Sequence, residues 1–339
     1  MTNSSSEVLN VDRKRSKLRR LFTRLLILLV LGLVTLEIAL RLFLGFGHPL
    51  LYIADPDCGY LPAPNQDVHR FLAETRINRF SMRSPDVSES KPPGTIRVLF
   101  LGDSVVFGTT FVDQSAICTS LLPPRLSRDL GRTVEVLNAS TGGWAPSNEI
   151  GYLRSRGTFG SDMVIFLLNT DDLSQAFTRT RPGAASDPGY PAQPPLCATT
   201  ELVHRYLLPR LVRLWHVVHP EPPQAGPGDF LETSTVLSQL LTAKQFAMRS
   251  HARLAIVYSP VRPGGPYDRP GDSGRVAQFK AWGKAQNVPI LDLSAAYGQH
   301  PPDSIWIDSI HLKPTGQRVA ADAVEPWLEP QLSEFVAGK

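Results

Sequence analysis

Cysteine is scarce in this chain, with three residues among 339. Cys58, Cys118 and Cys197 are too few and too widely spaced to form a disulfide-stapled scaffold or a cysteine-based zinc site. Hydrophobic residues make up 42% of the chain, which is too many for a disordered protein and enough for a sizeable buried core.

A net surplus of positive charge is lacking outside the N-terminus. The net charge is +4, but residues 1–24 hold seven basic and two acidic residues, a surplus of five. The remaining 315 residues therefore carry a net charge of −1. Such a surface has no electrostatic reason to bind a polyanion, so we expect no nucleic-acid partner.

A long apolar run follows the basic N-terminus. Residues 21–44 have the length needed to cross a bilayer, interrupted by Glu37 and Arg41, which lie four apart on one helical face. No small-residue cleavage site follows. We predict a cytoplasmic tail at 1–20 and an uncleaved transmembrane signal anchor at 21–46, with the remainder outside the cytoplasm, in the periplasm or on the outer face. A cleaved signal peptide and a buried core helix are the alternatives.

Beyond the anchor, the hydrophobic pattern predicts an α/β fold. Residues 47–95 are polar and proline-rich and predict a juxtamembrane lead with little regular structure. Over 96–330, continuous apolar runs alternate with helical stretches, which is typical of a mostly parallel sheet in a three-layer α/β/α sandwich. We predict strands at 96–101, 133–138, 163–169, 253–259 and 288–294, and helices at about 113–130, 146–156, 233–252, 273–286 and 314–328. We predict a proline-rich insertion at about 177–230 with a short helix at 201–217. It either shapes a ligand crevice at the strand ends or is a surface loop without such a role.

Polar residues stand where the predicted strands end. Ser104 follows the first strand after a glycine that permits a tight turn, and Gly143 follows the second, where a backbone N–H is able to face an oxyanion. Asn169 ends the third strand and carries a side-chain amide donor. Near the C-terminus, Asp308 lies three residues before His311, a spacing that lets the carboxylate orient the imidazole as a base for a serine.

The order of these residues resembles that of the SGNH hydrolases, the GDSL-type esterase superfamily. Gly-Asp-Ser at 102–104, Asn-Ala-Ser-Thr-Gly-Gly at 138–143 and Asp-Ser-Ile-His at 308–311 resemble three of the family's blocks. The stretch from Ile77 to Arg83, followed by PPGTIRVLFLGDS, is similar to membrane-anchored, extracytoplasmic bacterial members. The resemblance implies a catalytic triad of Ser104, Asp308 and His311. It also implies an oxyanion hole formed by Ser104, Gly143 and Asn169.

The third block departs from the family pattern. Members usually carry Gly-x-Asn-Asp, whereas this chain has Asn169-Thr170-Asp171-Asp172. Matching by residue type assigns the oxyanion donor to Asn169, and an ungapped count assigns the position to Asp171, whose charge would repel an oxyanion. We assign Asn169. A metal site built from Asp103, Asp171, Asp172 and His311 would leave the serine and the glycines without a role.

These observations predict a membrane-anchored serine esterase that removes acyl groups, acetyl being the first candidate, from a glycan or a lipid. No metal or organic cofactor is required. An O-acyltransferase with the same residues, or a non-catalytic anchored binding or assembly protein, is the alternative. The oligomeric state is left open.

Overall fold

A computed structural model describes residues 4–218 and 230–337, without the side chains of residues 4–14, 16, 213, 216–218, 336 and 337. The first three residues of the predicted tail and residues 219–229 of the predicted insertion lie outside this description. Helix α1 spans Ser4–Leu44, and within it Lys17–Leu44 is long and apolar enough to cross a membrane.

Two antiparallel hairpins follow α1. They consist of β1 (Tyr52–Asp55), β2 (Gly59–Pro62), β3 (Gln66–Arg70) and β4 (Ala73–Ile77). The prediction of little regular structure in this lead is therefore wrong for residues 52–77. The strands are four or five residues long and rich in polar side chains, so no apolar run marks them in the sequence.

The central sheet has five parallel strands in the order β6-β5-β7-β8-β9. The strands are β5 (Ile96–Gly102), β6 (Val134–Ser140), β7 (Met163–Asn169), β8 (Arg253–Ser259) and β9 (Ile290–Asp292). Every residue of β5 and β7 is buried, which explains their continuous apolar sequences. The five predicted strands are confirmed, although β9 is shorter than the 288–294 predicted.

Helices cover both faces of the sheet. The helices after α1 are α2 (Ser104–Phe107), α3 (Cys118–Leu130), α4 (Pro146–Arg156), α5 (Ala198–Glu201), α6 (Leu208–Val218), α7 (Thr233–Arg249), α8 (Asp272–Ala285), α9 (Ser294–Gly298), α10 (Pro302–Ile305) and α11 (Pro314–Ala337). Helices α4, α7 and α8 pack on the face that carries Leu99 and Phe166. Helices α3, α9 and α11 pack on the face that carries Phe100 and Ile165. The predicted three-layer α/β/α sandwich is confirmed.

The insertion contains one long helical segment. A π-helical turn, Leu202–Leu207, joins α5 to α6, so that the backbone is helical from residue 198 to 218, and we call this segment the 198–218 helix. It contains the short helix predicted at 201–217. Phe230 forms an isolated antiparallel bridge with Gln175, in the segment that follows β7.

Arg83 ties the lead to residues 107–112 from a position that is 1% exposed. Its guanidinium donates to the carbonyl oxygens of Phe107, Thr109 and Val112, each at 2.6 Å, and to that of Glu74 at 3.2 Å. Burial lowers the pKa of Arg83 to about 9. The planar guanidinium thus provides hydrogen bonds to carbonyl groups that would otherwise be buried without partners.

We expect Arg83→Lys to destabilise the protein by about 3 kcal/mol or more, because one ammonium cannot reach acceptors spread around a guanidinium plane. Denaturant unfolding of the full chain in detergent measures the loss. Arg79→Lys is the control, since the Arg79 side chain is about half exposed and pairs with Asp86 at the surface. Equal stabilities of the two variants would contradict the role given to Arg83.

Candidate active site

Ser104 is presented at the carboxyl end of the central strand β5. The strand ends at Gly102, the side chain of Asp103 accepts a hydrogen bond from the Val105 backbone N–H, and Ser104 is the first residue of α2. A Cβ at position 102 would lie 2.5 Å from a Val106 side-chain carbon, so only glycine allows this tight turn. The hydroxyl of Ser104 therefore stands at the rim of the sheet, where ligands bind in open α/β folds.

His311 reaches Ser104 from 207 residues away in the sequence. Its Nε2 lies 2.9 Å from Ser104 Oγ, and its Nδ1 lies 2.7 Å from Asp308 Oδ2. The other Asp308 oxygen accepts the backbone N–H groups of Ile310 and His311, both at 2.9 Å. Partial burial opposes ionisation of Asp308, but these hydrogen bonds outweigh it and lower the pKa of that carboxyl. An ionised Asp308 fixes the imidazole so that Nε2 faces the serine.

Gly143 lies where two tyrosines crowd the backbone. Its φ is +77°, and a Cβ there would come within 2.8 Å of the Tyr190 hydroxyl and 2.9 Å of the Tyr60 hydroxyl. Both hydroxyls donate to the Gly142 carbonyl, at 3.0 and 2.6 Å. Any side chain at position 143 would disrupt this arrangement, so glycine is required by both conformation and space.

The third block places Asn169, rather than Asp171, beside the Gly-Asp-Ser turn. Asn169 is 1% exposed, and its Nδ2 donates to Asp103 Oδ2 at 2.9 Å. Asp171 lies farther out and pairs with Arg269 at 3.2 Å. The geometry thus agrees with matching by residue type, although the role of Asn169 in catalysis stays a prediction.

Comparison with known proteins agrees with this geometry. Residues 100–319, more than half of the chain, match the model of the GDSL-like lipase/acylhydrolase family. The chain belongs to this family. It is thus an ester hydrolase of the SGNH superfamily. No curated protein matches the chain at a significant level.

Solved structures similar to this hydrolase include TesA, which is 16% identical with a TM-score of 0.43 and matches 69% of this chain and 98% of its own. A lipase/acylhydrolase from Enterococcus faecalis is 14% identical with a TM-score of 0.43, over 70% of this chain and 96% of its own. The esterase EstA from Pseudoalteromonas sp. is 14% identical with a TM-score of 0.41, over 68% of this chain and 98% of its own.

A cluster of three buried carboxyl groups lies behind the Gly-Asp-Ser turn of this hydrolase, and the sequence analysis missed its third member, Glu149. Burial raises the pKa of Asp103 to about 6, and burial with neighbouring negative charge raises the pKa values of Glu149 and Asp172 well above their usual range. Within the described residues, no hydrogen bond reaches either carboxyl oxygen of Glu149. Glu149 lies in the first turn of α4, where an acidic residue is ordinary, so no sequence signal marks it.

The cavity at Ser104 has a volume of about 250 Å³. Its walls come from three parts of the chain: Ser104 and Phe107 from α2, Leu50 and Tyr52 from the lead, and Tyr190 from the insertion. The insertion therefore shapes the site, as one of the two sequence interpretations proposed. A larger cavity of about 610 Å³ lies between the insertion and Pro49, but neither Ser104 nor His311 lines it.

Two groups of side chains carry the residue types that ligate metals. The four residues raised by the sequence analysis have other partners: Asp103 binds the Asn169 side chain, Asp172 accepts the Asn169 backbone N–H, Asp171 pairs with Arg269 and His311 faces Ser104. In the described part of the chain, Asp67, His69 and Glu74 on the β3–β4 hairpin bring ligand atoms within 4.8 Å of one another. Two of these three are exposed, and Glu74 already pairs with Arg76 at 2.6 Å.

We expect Glu149→Gln to stabilise the protein increasingly as the pH rises above about 4.5. In that range the unfolded wild type releases the Glu149 proton while the folded state keeps it, so wild-type stability falls with pH, by up to ~1.4 kcal/mol per pH unit. Glutamine has the same shape and no proton to lose.

Denaturant unfolding of the full chain between pH 5 and pH 8 measures this difference. Glu89→Gln, at an exposed position, is the control and should show no such trend. A stability difference between Glu149→Gln and wild type that stays constant with pH would show that Glu149 is not a buried neutral acid.

Proposed function

We propose that the hydrolase is a serine esterase in which Ser104, His311 and Asp308 form the catalytic triad. The supporting observation is the continuous hydrogen-bonded chain from Ser104 Oγ through His311 to Asp308. Ser104 Oγ attacks the ester carbonyl carbon while His311 Nε2 takes the hydroxyl proton. His311 then returns this proton to the leaving alkoxide, and a water molecule, activated by the same nitrogen, hydrolyses the acyl-enzyme.

The proposed oxyanion hole consists of the backbone N–H groups of Ser104 and Gly143 and the side-chain amide of Asn169. The amide nitrogen carries two N–H groups, and one of them donates to Asp103, which fixes the orientation of the other. Donors held in place before the reaction stabilise the developing charge without having to reorganise, and each is typically worth ~3 kcal/mol of barrier.

The cavity favours a short acyl group. At about 250 Å³ it is smaller than the ~300–1,000 Å³ typical of sites for drug-sized ligands. Two aromatic side chains, Tyr52 from the lead and Tyr190 from the insertion, form part of its wall. Their ring centroids lie 5.0 Å apart. We therefore propose that an acetyl or similarly short acyl ester is cleaved.

We further propose that α1 remains as a single-pass membrane anchor, with the catalytic domain outside the cytoplasm. The contacts of its C-terminal part with the rest of the chain support retention over cleavage. Glu37 accepts hydrogen bonds from the backbone N–H groups of Ala198 and Thr199, and Leu40 is buried in one cluster with Ala198 and Phe46. An esterase in this place would act on acylated glycans or lipids at the cell surface, and on no nucleic acid.

We expect Ser104→Ala and His311→Ala each to lower kcat for p-nitrophenyl acetate by ~10⁴-fold or more, because each removes a group that the reaction needs. Ser104→Ala should also abolish covalent labelling by a fluorophosphonate. Ser273→Ala, at an exposed serine of α8, is the control and should retain both properties. Turnover and labelling that survive the loss of Ser104 would place the nucleophile elsewhere.

We expect Asn169→Ala to lower kcat by ~10²–10³-fold with little change in KM, because the oxyanion exists only beyond the ground state. Asp171→Ala should change kcat by less than about threefold, because Asp171 faces Arg269 rather than the nucleophile turn. Thermal unfolding of both variants checks that the fold persists. The opposite ranking would assign the position to Asp171.

A further inference from the structure

The 198–218 helix presents an apolar face that is largely exposed. Its exposed apolar side chains are Val203, Leu207, Leu208, Leu211, Val212, Leu214 and Trp215, which are 40–63% exposed. They recur at the spacing of one helical face and include Leu, Val and Trp. Arg205 lies off this face and binds Glu201 at 3.2 Å. A continuous exposed apolar stripe of this size marks an interaction surface.

The tip of the β3–β4 hairpin repeats this exposure. Phe71 and Leu72 form its two-residue turn with φ values of +53° and +65°, where asparagine and glycine are usual. Leu72 is nevertheless 96% exposed. Phe71 stacks on Phe111, itself 51% exposed, with ring centroids 4.8 Å apart. Residues this apolar in a strained, exposed turn indicate that the tip does not face bulk water.

Both features adjoin the end of α1. The Phe71 N–H donates to the Leu44 carbonyl at 3.3 Å, and the Phe46 ring packs against both Phe71 and Tyr206. Glu37 binds the first two residues of the 198–218 helix. Counted from Leu21, where the predicted anchor begins, at 1.5 Å per residue, an α1 span of ~30 Å ends at about Leu40, so the contacts of Glu37 and Leu40 with the start of the 198–218 helix lie within one helical turn of the outer membrane surface.

We propose that the 198–218 helix lies in the outer surface of the membrane, with its apolar face in the lipid and the Leu72 tip beside it. This inference rests on the proposed anchoring by α1. Lipid is the occupant because the apolar face begins where α1 leaves the hydrocarbon, so one apolar environment covers both. An amphipathic helix with cationic side chains off its apolar face is typical of such interfacial segments.

The arrangement would hold the catalytic cavity at the bilayer. Arg205 and Tyr206, on the side of the helix away from lipid, line the same cavity as Ser104. An ester carried by a membrane lipid or a lipid-linked glycan would therefore reach Ser104 without leaving the membrane surface. The proposed substrate class is an ester held at that surface rather than one free in solution.

Trp215 provides a direct test that needs no enzyme activity. The full chain is reconstituted in phosphatidylcholine vesicles with or without brominated acyl chains, which quench tryptophan on contact. We expect brominated lipid to quench part of the emission, and this part to disappear in Trp215→Phe but to remain in Trp282→Phe, whose ring packs against the domain core. Equal quenching of wild type and Trp215→Phe would overturn the proposal and indicate that protein covers this face.

A second measurement tests the consequence for substrate access. Leu211→Glu should lower hydrolysis of 1-palmitoyl-2-acetyl-phosphatidylcholine in vesicles by about tenfold or more and leave hydrolysis of soluble p-nitrophenyl acetate unchanged. Met248→Glu, at an exposed apolar residue of α7, should change neither rate. Equal loss on both substrates, or on neither, contradicts the proposal. If the wild type hydrolyses no ester, the esterase proposal fails, and the quenching experiment still decides the position of the helix.

Discussion

The alignment of Ser104 with His311 depends on one buried side chain, that of Gln317 in the first turns of α11. Its Nε2 donates to the Val105 carbonyl at 3.0 Å, and its Oε1 accepts the Cys118 N–H at 2.9 Å. One amide thus joins the helix that follows His311 to the turn that carries Ser104 and to α3. Because Gln317 is 1% exposed, shifting α11 would strand two backbone groups away from water, which costs free energy at each.

The sequence predicted the sheet because buried strands leave a local pattern, and it singled out Ser104, Asp308 and His311, which the structure brings within hydrogen-bond distance. Strands buried on both faces must be apolar throughout, so β5, β7 and β8 appear within one residue of their observed bounds. Carboxyl ends of parallel strands share one edge, so polar residues at those ends predict a common site before any coordinate is known. Matching by residue type also favoured Asn169, and its hydrogen bond to Asp103 agrees.

The remaining features could not be predicted because they depend on partners far apart in the chain. Glu37 and Arg41 share one helical face in the sequence, and they do pair, but Glu37 also binds the start of the 198–218 helix more than 160 residues later. The lead seemed irregular because its short strands lack an apolar run, yet Arg83 and the strand pairings order it. Glu149 is an ordinary helix-start residue until the fold buries it beside Asp172 and Asp103.

The cavity at Ser104 is likewise formed by segments far apart in the chain, because residues of the lead and of the insertion both line it. Glu201 of the insertion binds Arg70 of the lead at 2.7 Å and accepts the Gly47 N–H at 2.7 Å, with both side chains at most 3% exposed. Losing Glu201 would leave the buried guanidinium of Arg70 without its carboxylate partner, so the two segments are held together far more strongly than a surface pair would hold them. Since Arg70 also lines the Ser104 cavity, any shift of the insertion would change the space inside it. Substrate choice in this hydrolase therefore depends on how the lead and the insertion meet, while the chemistry depends on the turn at Ser104.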